Sequence, residues 1–467
     1  MDRRKFLKYA GCGAMSSATM MSSILNLRAM NAASIAHSAV YGANDYKAIV
    51  CLSLNGGNDS YNMLIPTDTD EYNDYAVVRS NLAIERQEIL PLSGNTGGRT
   101  FGLHPSLTNL KALYDQGDAA FIANVGTLVE PVSVDEFWLE QKRTPLGLLS
   151  HNDQLQQWQT GITHDRAGLG WGGRMADLIN DIQPPYNLSD KISMNISLAG
   201  TNVWQSGVNS GLYSISPEDG PVGFIGYDEY PFLQRAVDNL IDQNYEDVFK
   251  KTYIQGLRNS RDAFVPFTAA YNNVSVNTSF NESQGLSRSL YQVAKSIGAR
   301  HELGFRRQSY FVDIGGFDTH DELLGSHATL FDEIDSAIGS FMEALDELGE
   351  RENVIVFAIS DFARTLGSNG NGTDHAWGGN IFTIGGPVNG GQIYGQYPQT
   401  LDFNENPNDL GGGIILPTTA VDEYFAEIAM WFGVPKRDLS IILPNISNFY
   451  DVGSSNEVNP LGFLTLS

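Results

Sequence analysis

"TLFDEIDSAIGSFMEALDELGE" (residues 329–350), followed two residues later by "NVIVFAISDFART" (residues 353–365), is the stretch on which the fold turns. The first part reads as a helix. The second opens with an unbroken apolar run and ends in polar residues. An apolar run without alternation is what a strand covered on both faces requires.

Working outward, the same signature recurs. In "YKAIVCLSLNGGNDSYNMLIP" the run from Ala48 to Leu54 ends in a glycine-containing turn. In "LTNLKALYDQGDAAFIANVG", Leu107, Leu110, Leu113 and Tyr114 fall at helical spacing and Ala119 to Val125 reads as a strand. In "SRSLYQVAKSIGARHELGFRRQSYFVDIGGFDTH" a helix precedes the strand Ser309 to Ile314. Helices alternating with buried strands predict an α/β domain with a doubly wound, mostly parallel sheet. Residues 180–285, richer in Asn, Ser, Pro, Gly and Tyr, read as an insertion or lobe over the site, with a helical part in "YPFLQRAVDNLIDQNYEDVFKKTYIQGL".

The amino terminus has a different character. "RRKFLK" (residues 3–8) is followed by a mildly apolar run of Ala, Gly, Ser and Met with no acidic residue until Asp45. A basic segment, a weakly apolar segment and a small-residue exit make a secretory leader. Arg3 and Arg4 with Phe6, Leu7 and Lys8 resemble the twin-arginine export motif, although Asp2 stands where Ser or Thr is usual. The expectation is a signal peptide over residues 1–36 and a single domain over 44–467. The apolar segment is too weak for a stable membrane anchor, which needs ~20 predominantly apolar residues.

Composition fits an exported protein. The chain has 54 acidic against 29 basic side chains, net −25, and its first 36 residues hold five of the basic ones and one acidic. Such a field disfavours nucleic acid and anionic membranes, and an anionic substrate would need local positive charge or metal. Only Cys51 remains beyond the leader, so no intramolecular disulfide can form.

Ligands of an open α/β sheet bind beyond the carboxyl ends of its strands. The residues there are polar. Asn55, Asn58 and Asp59 follow the first run, and Asp318 and His320 the third. Ser360, Asp361 and Arg364 follow the fourth, with Asp374 and His375 close behind. Parallel strands would gather these clusters on one edge, and Asp with His suits a hydrolytic metal site.

The motifs "LNGGNDSYNMLIP", "GLHPSL", "SHNDQLQQWQTG", "GWGGRMAD", "GGFDTHDELLGSH", "SDFARTLGSNGNGTDHAWGG" and "GGPVNGGQIYG" resemble the domain-of-unknown-function 1501 family of twin-arginine-exported proteins. Through it the chain resembles the alkaline phosphatase–sulfatase superfamily. The resemblance implies a three-layer alkaline phosphatase-like fold and an exported hydrolase of phosphate or sulfate esters, periplasmic or secreted. Its substrate would be a small-molecule or glycan ester, and the twin-arginine translocase its partner during export. The alternative is a non-catalytic exported binding protein that keeps the fold. The resemblance further implies a divalent metal ion (zinc, calcium, magnesium or manganese) held by Asp59, Asp318, His320, Asp361 and His375. Phe362 stands where a second metal would expect His, so one full site is expected.

Ser150 opens the short helical run in "GLLSHNDQLQQWQTG" and is the candidate nucleophile, with His151 or the metal to activate it. As a plain N-cap, Ser150 would form nearly a capping box with Asp153. Metal-activated water competes with it for the nucleophile's role. Ser150 lacks the Cys/Ser-x-Pro-x-Arg context of formylglycine sulfatases. Arg364 is the expected anion partner, since a guanidinium grips phosphate or sulfate bidentately. His327, seven residues after His320, is expected behind the ligands; His104, before Pro105, is expected in an extended turn.

Overall fold

The computed structural model describes residues 46–466 apart from 183–184, 188–191, 225–226, 228 and 455–457. The proposed leader lies outside the described residues. Nine strands form the main sheet: β1 (Lys47–Asn55), β2 (Ala119–Gly126), β3 (Asn195–Ser197), β4 (Leu212–Ser214), β5 (Arg307–Gly315), β6 (Val354–Ser360), β7 (Gly379–Ile384), β8 (Ile393–Gly395) and β9 (Thr419–Ala420). Their order is β8-β2-β7-β6-β1-β5-β3-β4, with β9 also on β2. Every pairing is parallel except those of β7, which runs antiparallel to both β6 and β2. The expected mostly parallel sheet is therefore present.

β1 is central because it is apolar on both faces: Ala48 through Leu54 are all buried. Fully burying a Leu, Ile or Val side chain is worth about 1.5–3 kcal/mol. Ile49, Val50, Leu52 and Leu54 therefore fix this strand in the middle. Helices cover both faces. On one lie α2 (Thr108–Gln116), α6 (Gly285–Gly298) and α7 (Leu323–Leu348), packed on one another and on β2 and β5. On the other lie α3 (His151–Thr160), α4 (Trp171–Asn180) and α8 (Val421–Phe432). Trp171 of α4 stacks on Phe425 of α8 at 4.7 Å, and Trp158 of α3 meets the same ring edge-on at 5.8 Å. α1 (Thr69–Arg79) sits beside a three-stranded antiparallel sheet of Leu64–Pro66, Phe101–Leu103 and Leu90–Pro91. The layering is α/β/α.

Within the stretch read as an insertion, α5 (Val248–Asn272) and the helix Pro231–Ile241 match the helical reading. The same stretch also supplies β3 and β4, which extend the main sheet beyond β5. Three-residue strands leave too short an apolar run to be read as such.

Register places the polar clusters. Leu54 lies level with Ile314 on one side and Ser360 on the other, so β1, β5 and β6 end together. From Ser360 the chain makes a hairpin through residues 361–378, closed by the antiparallel bridge Arg364–His375, and enters β7. Both ends of this hairpin lie at the carboxyl edge, because β7 runs the other way.

Candidate metal centre

Asp318 and His320 lie in the loop after β5, Asp361 directly follows β6, His375 is in the hairpin, and His151 is the first residue of α3. Two glycines let these segments close up. Gly56 has φ +117°, and a Cβ there would lie 2.4 Å from the Asp318 nitrogen; a Cβ on Gly372 would lie 2.3 Å from the His320 carbonyl carbon. Only glycine permits both approaches.

The imidazoles meet at their Nε2 atoms. His375 Nε2 is 3.1 Å from His151 Nε2 and 3.1 Å from His320 Nε2. The Asp318 carboxylate lies among them, with Oδ1 3.1 Å from His320 Nε2 and 3.5 Å from His375 Nε2, and Oδ2 3.5 Å from His151 Nε2. His151, Asp318 and His375 form a possible three-residue metal site, and His320 adjoins it through His375 and Asp318. Each ring is held from behind at Nδ1. His375 Nδ1 is 2.9 Å from the Leu149 carbonyl, His151 Nδ1 2.7 Å from Asp361 Oδ2, and His320 Nδ1 3.1 Å from Asp374 Oδ1.

These partners fix the tautomers. A carbonyl only accepts, so His375 carries its proton on Nδ1 and turns the Nε2 lone pair inward. Asp374, held below the usual carboxylate range by Asn369 and His320, does the same for His320. Burial raises Asp361, and its hydrogen bond with His151 opposes that rise. Burial also pushes Asp318 up, but Arg364, His151 and His320 more than offset it and hold the carboxyl low. Burial lowers His375, favouring the neutral ring a metal needs. Lone pairs and a carboxylate therefore face one another with no hydrogen between them, which suits a cation. In a tetrahedral zinc site with Zn–N near 2.0–2.1 Å, neighbouring ligand atoms lie about 3.3 Å apart. The separations here match.

The surroundings are asymmetric. Phe362, buried, presses its ring on His151 (4.7 Å) and His375 (4.6 Å). Arg364, fully buried, donates from Nη1 to Asp318 Oδ1 at 3.0 Å and from Nε to Thr373 at 3.3 Å, while Nη2 has no partner among the described residues. Burial lowers its pKa from the ordinary guanidinium value, against the opposing pull of Asp318.

Two expected ligands stand elsewhere. Asp59 forms a fully buried ion pair with Arg79, the last residue of α1. Arg79 also donates to Asn62 and, at 3.0 Å each, to the carbonyls of Thr365 and Leu366, so it pins the hairpin. Asp361 stands behind His151 rather than beside the other ligand atoms. His151, expected as a base for Ser150, has both ring nitrogens engaged with Asp361, His375 and Asp318. Ser150 is the N-cap of α3 with extended backbone, but its side chain makes no capping bond, and Asp153 pairs with Arg166 at 2.9 Å. His327, buried and lowered to about 4 by desolvation, reaches Thr319, between Asp318 and His320, at 3.0 Å. His104, also lowered to about 4 by burial, accepts from the Ser106 N–H. Sequence reasoning missed Arg79 and Leu149. Leu149 has φ +68°, a left-handed conformation that costs about 1–2 kcal/mol for a residue with a side chain.

A family model described as a protein of unknown function (DUF1501) matches residues 263–434. That stretch carries Asp318, His320, Asp361, Arg364 and His375, and the match agrees with the resemblance read from the motifs. No curated protein matches the chain. Among solved structures, the PsFucS1 sulfatase from Pseudoalteromonas sp. is 10% identical, with 95% of this chain and 73% of that chain covered and a TM-score of 0.34. The soluble domain of lipooligosaccharide phosphoethanolamine transferase A from Neisseria meningitidis is 9% identical, with 86% and 93% covered and a TM-score of 0.33. A mutant of alkaline phosphatase PafA is 9% identical, with 70% and 64% covered and a TM-score of 0.30. Similarities this slight leave the fold to be read from the sheet itself.

Proposed function

We propose that the protein is an exported, metal-dependent hydrolase of phosphate or sulfate esters. A single divalent ion, zinc for preference, would be held by His151, Asp318 and His375, with His320 as a further ligand. The observation that supports this is the meeting of imidazole lone pairs and one carboxylate at the carboxyl edge of a parallel sheet. Three imidazoles suit zinc better than calcium or magnesium, which take oxygen ligands. When bound, such an ion supplies Lewis acidity toward the ester oxygen and toward water.

The chain's own residues do the rest. Asp361, Asp374 and the Leu149 carbonyl keep the imidazole protons on Nδ1. Phe362 excludes water from one side of the rings. Arg364 holds Asp318 and would offer Nη2 to an anionic group, supplying the positive charge that an acidic protein must provide locally. Ser150, without a capping bond, stays a candidate nucleophile. The rival reading, a non-catalytic exported binder, draws on Asp59 being tied to Arg79 and on Phe362 closing the place of a second ion. A small-molecule or glycan ester is the substrate class, and the leader over residues 1–36 would send the chain through the twin-arginine translocase.

The test is metal analysis of the purified chain, then a panel of chromogenic phosphate and sulfate esters. About one divalent ion per chain is expected, as for a mononuclear catalytic site, and His375→Ala should lose both ion and turnover. A folded chain from metal-replete medium that carries no divalent ion overturns the metal reading. A metal-loaded chain inert on the whole panel overturns the hydrolase and leaves the binder. With a responsive ester, Ser150→Ala separates the two nucleophiles: abolished turnover with the ion retained assigns the role to Ser150.

A further inference from the structure

We infer that Gln154 is a positioning residue for the metal centre, acting through the left-handed turn at Leu149 to hold the proton of His375 on Nδ1. Gln154 lies on α3 and is fully buried. Its Oε1 accepts from the Leu149 N–H at 2.6 Å, and its Nε2 donates to Thr127 Oγ1 at 3.4 Å, just beyond the end of β2. The carbonyl of Leu149, on the next peptide group along the chain, accepts from His375 Nδ1 at 2.9 Å. Hydrogen bonds from Thr127 through Gln154 to the Leu149 N–H, and from the Leu149 carbonyl to His375, thus meet at the Leu149 backbone, whose φ and ψ set where that carbonyl points.

Leu149 shows that this arrangement is imposed. A bulky residue at φ +68° is an uncommon conformation, kept only where its surroundings over-determine it. Gln157, one turn further along α3, secures the same loop by donating to the Leu146 carbonyl at 2.6 Å. Released from Gln154, Leu149 would relax toward negative φ and swing its carbonyl away from His375. The ring would then be free to place its proton on Nε2, where it blocks coordination.

The affinity half of this inference rests on the metal reading above; the tautomer half stands without it. The experiment uses the full chain with 15N-labelled histidine and long-range 1H–15N correlation before metal is added, then zinc titration against a chromophoric chelator. Wild type should show His375 protonated on Nδ1. Gln154→Leu should shift it toward Nε2–H and weaken zinc binding about 10- to 100-fold, the usual effect of losing such a supporting group. Gln154→Glu keeps an acceptor for the Leu149 N–H and should restore both. If Gln154→Leu does not fold, Thr127→Val, which removes only the hydroxyl orienting the amide, should change tautomer and affinity in the same direction. An unchanged tautomer and affinity in the variant read overturns the inference, as does Nε2–H in the wild type. A tautomer that responds in a chain that binds no zinc overturns the metal reading and leaves the positioning role standing.

Discussion

The Asp59 carboxylate and the Arg79 guanidinium are both wholly buried and held to each other. Removing one partner strands the other charge in a low-dielectric interior, which costs about 3–5 kcal/mol, whereas replacing both with uncharged groups is far milder. Arg79→Met is therefore expected to lower stability to urea by about 3–5 kcal/mol, with Asp59→Asn added to it recovering much of the loss. Asp59→Asn alone should leave bound metal unchanged; loss of the ion with retained fold would return Asp59 to the ligands. At this scale the sequence discloses residue types well and partners poorly. Asp318, His320 and His375 stand out as glycine-flanked polar groups at strand ends, and they do meet. Asp59 carries the same signature, yet its partner comes 20 residues later at the end of an ordinary helix. His151 was visible beside Ser150, but its role depends on which ring atoms the fold turns toward Asp318.

Among the elements, α8 carries an acidic residue in a place that strains it. Asp422 lies in the first turn, wholly buried, and neither carboxylate oxygen has a hydrogen-bond partner among the described residues. Arg174, whose charge acts on it, is engaged with the carbonyls of Leu169, Thr160 and Ile442. Burial raises the Asp422 pKa to about 8. The folded chain thus retains a proton that the unfolded chain gives up near pH 4, so this group lowers stability progressively as pH climbs from about 4 to about 8. Asp422→Asn should remove that slope. Its Tm relative to wild type is expected to be higher at pH 8 than at pH 5, and a difference independent of pH would show Asp422 to be ionised throughout. α3 shows that placing an element does not say what its polar face meets. Gln154, Gln157 and Gln159 are buried, and each serves backbone groups of a neighbouring loop. Polar periodicity marks a helix without telling water from loop backbone.

For the molecule as a whole, the sheet was readable because β1, β2 and β6 are long, buried and mostly apolar runs, while β5 shows a shorter apolar stretch at residues 310–312. The short strands β3, β4, β8 and β9 owe their pairing to neighbours already in place, which composition does not record. The acidic field belongs to this scale too, and so does the leader. If the receptor reads the guanidinium pair, replacing Arg3 and Arg4 by Lys should strand the precursor in the cytoplasm, as cell fractionation would show; normal periplasmic accumulation would rule that route out. The reversed strand β7 has a consequence for how such a site could change over time. Because the hairpin of residues 361–378 both departs from and returns to the same rim, its length and content can vary without shifting any strand against its neighbour. It behaves as an exchangeable cassette: a recombination event or a graft confined to this segment could swap Arg364, Phe362 and His375 together, leaving the strands that carry them in place.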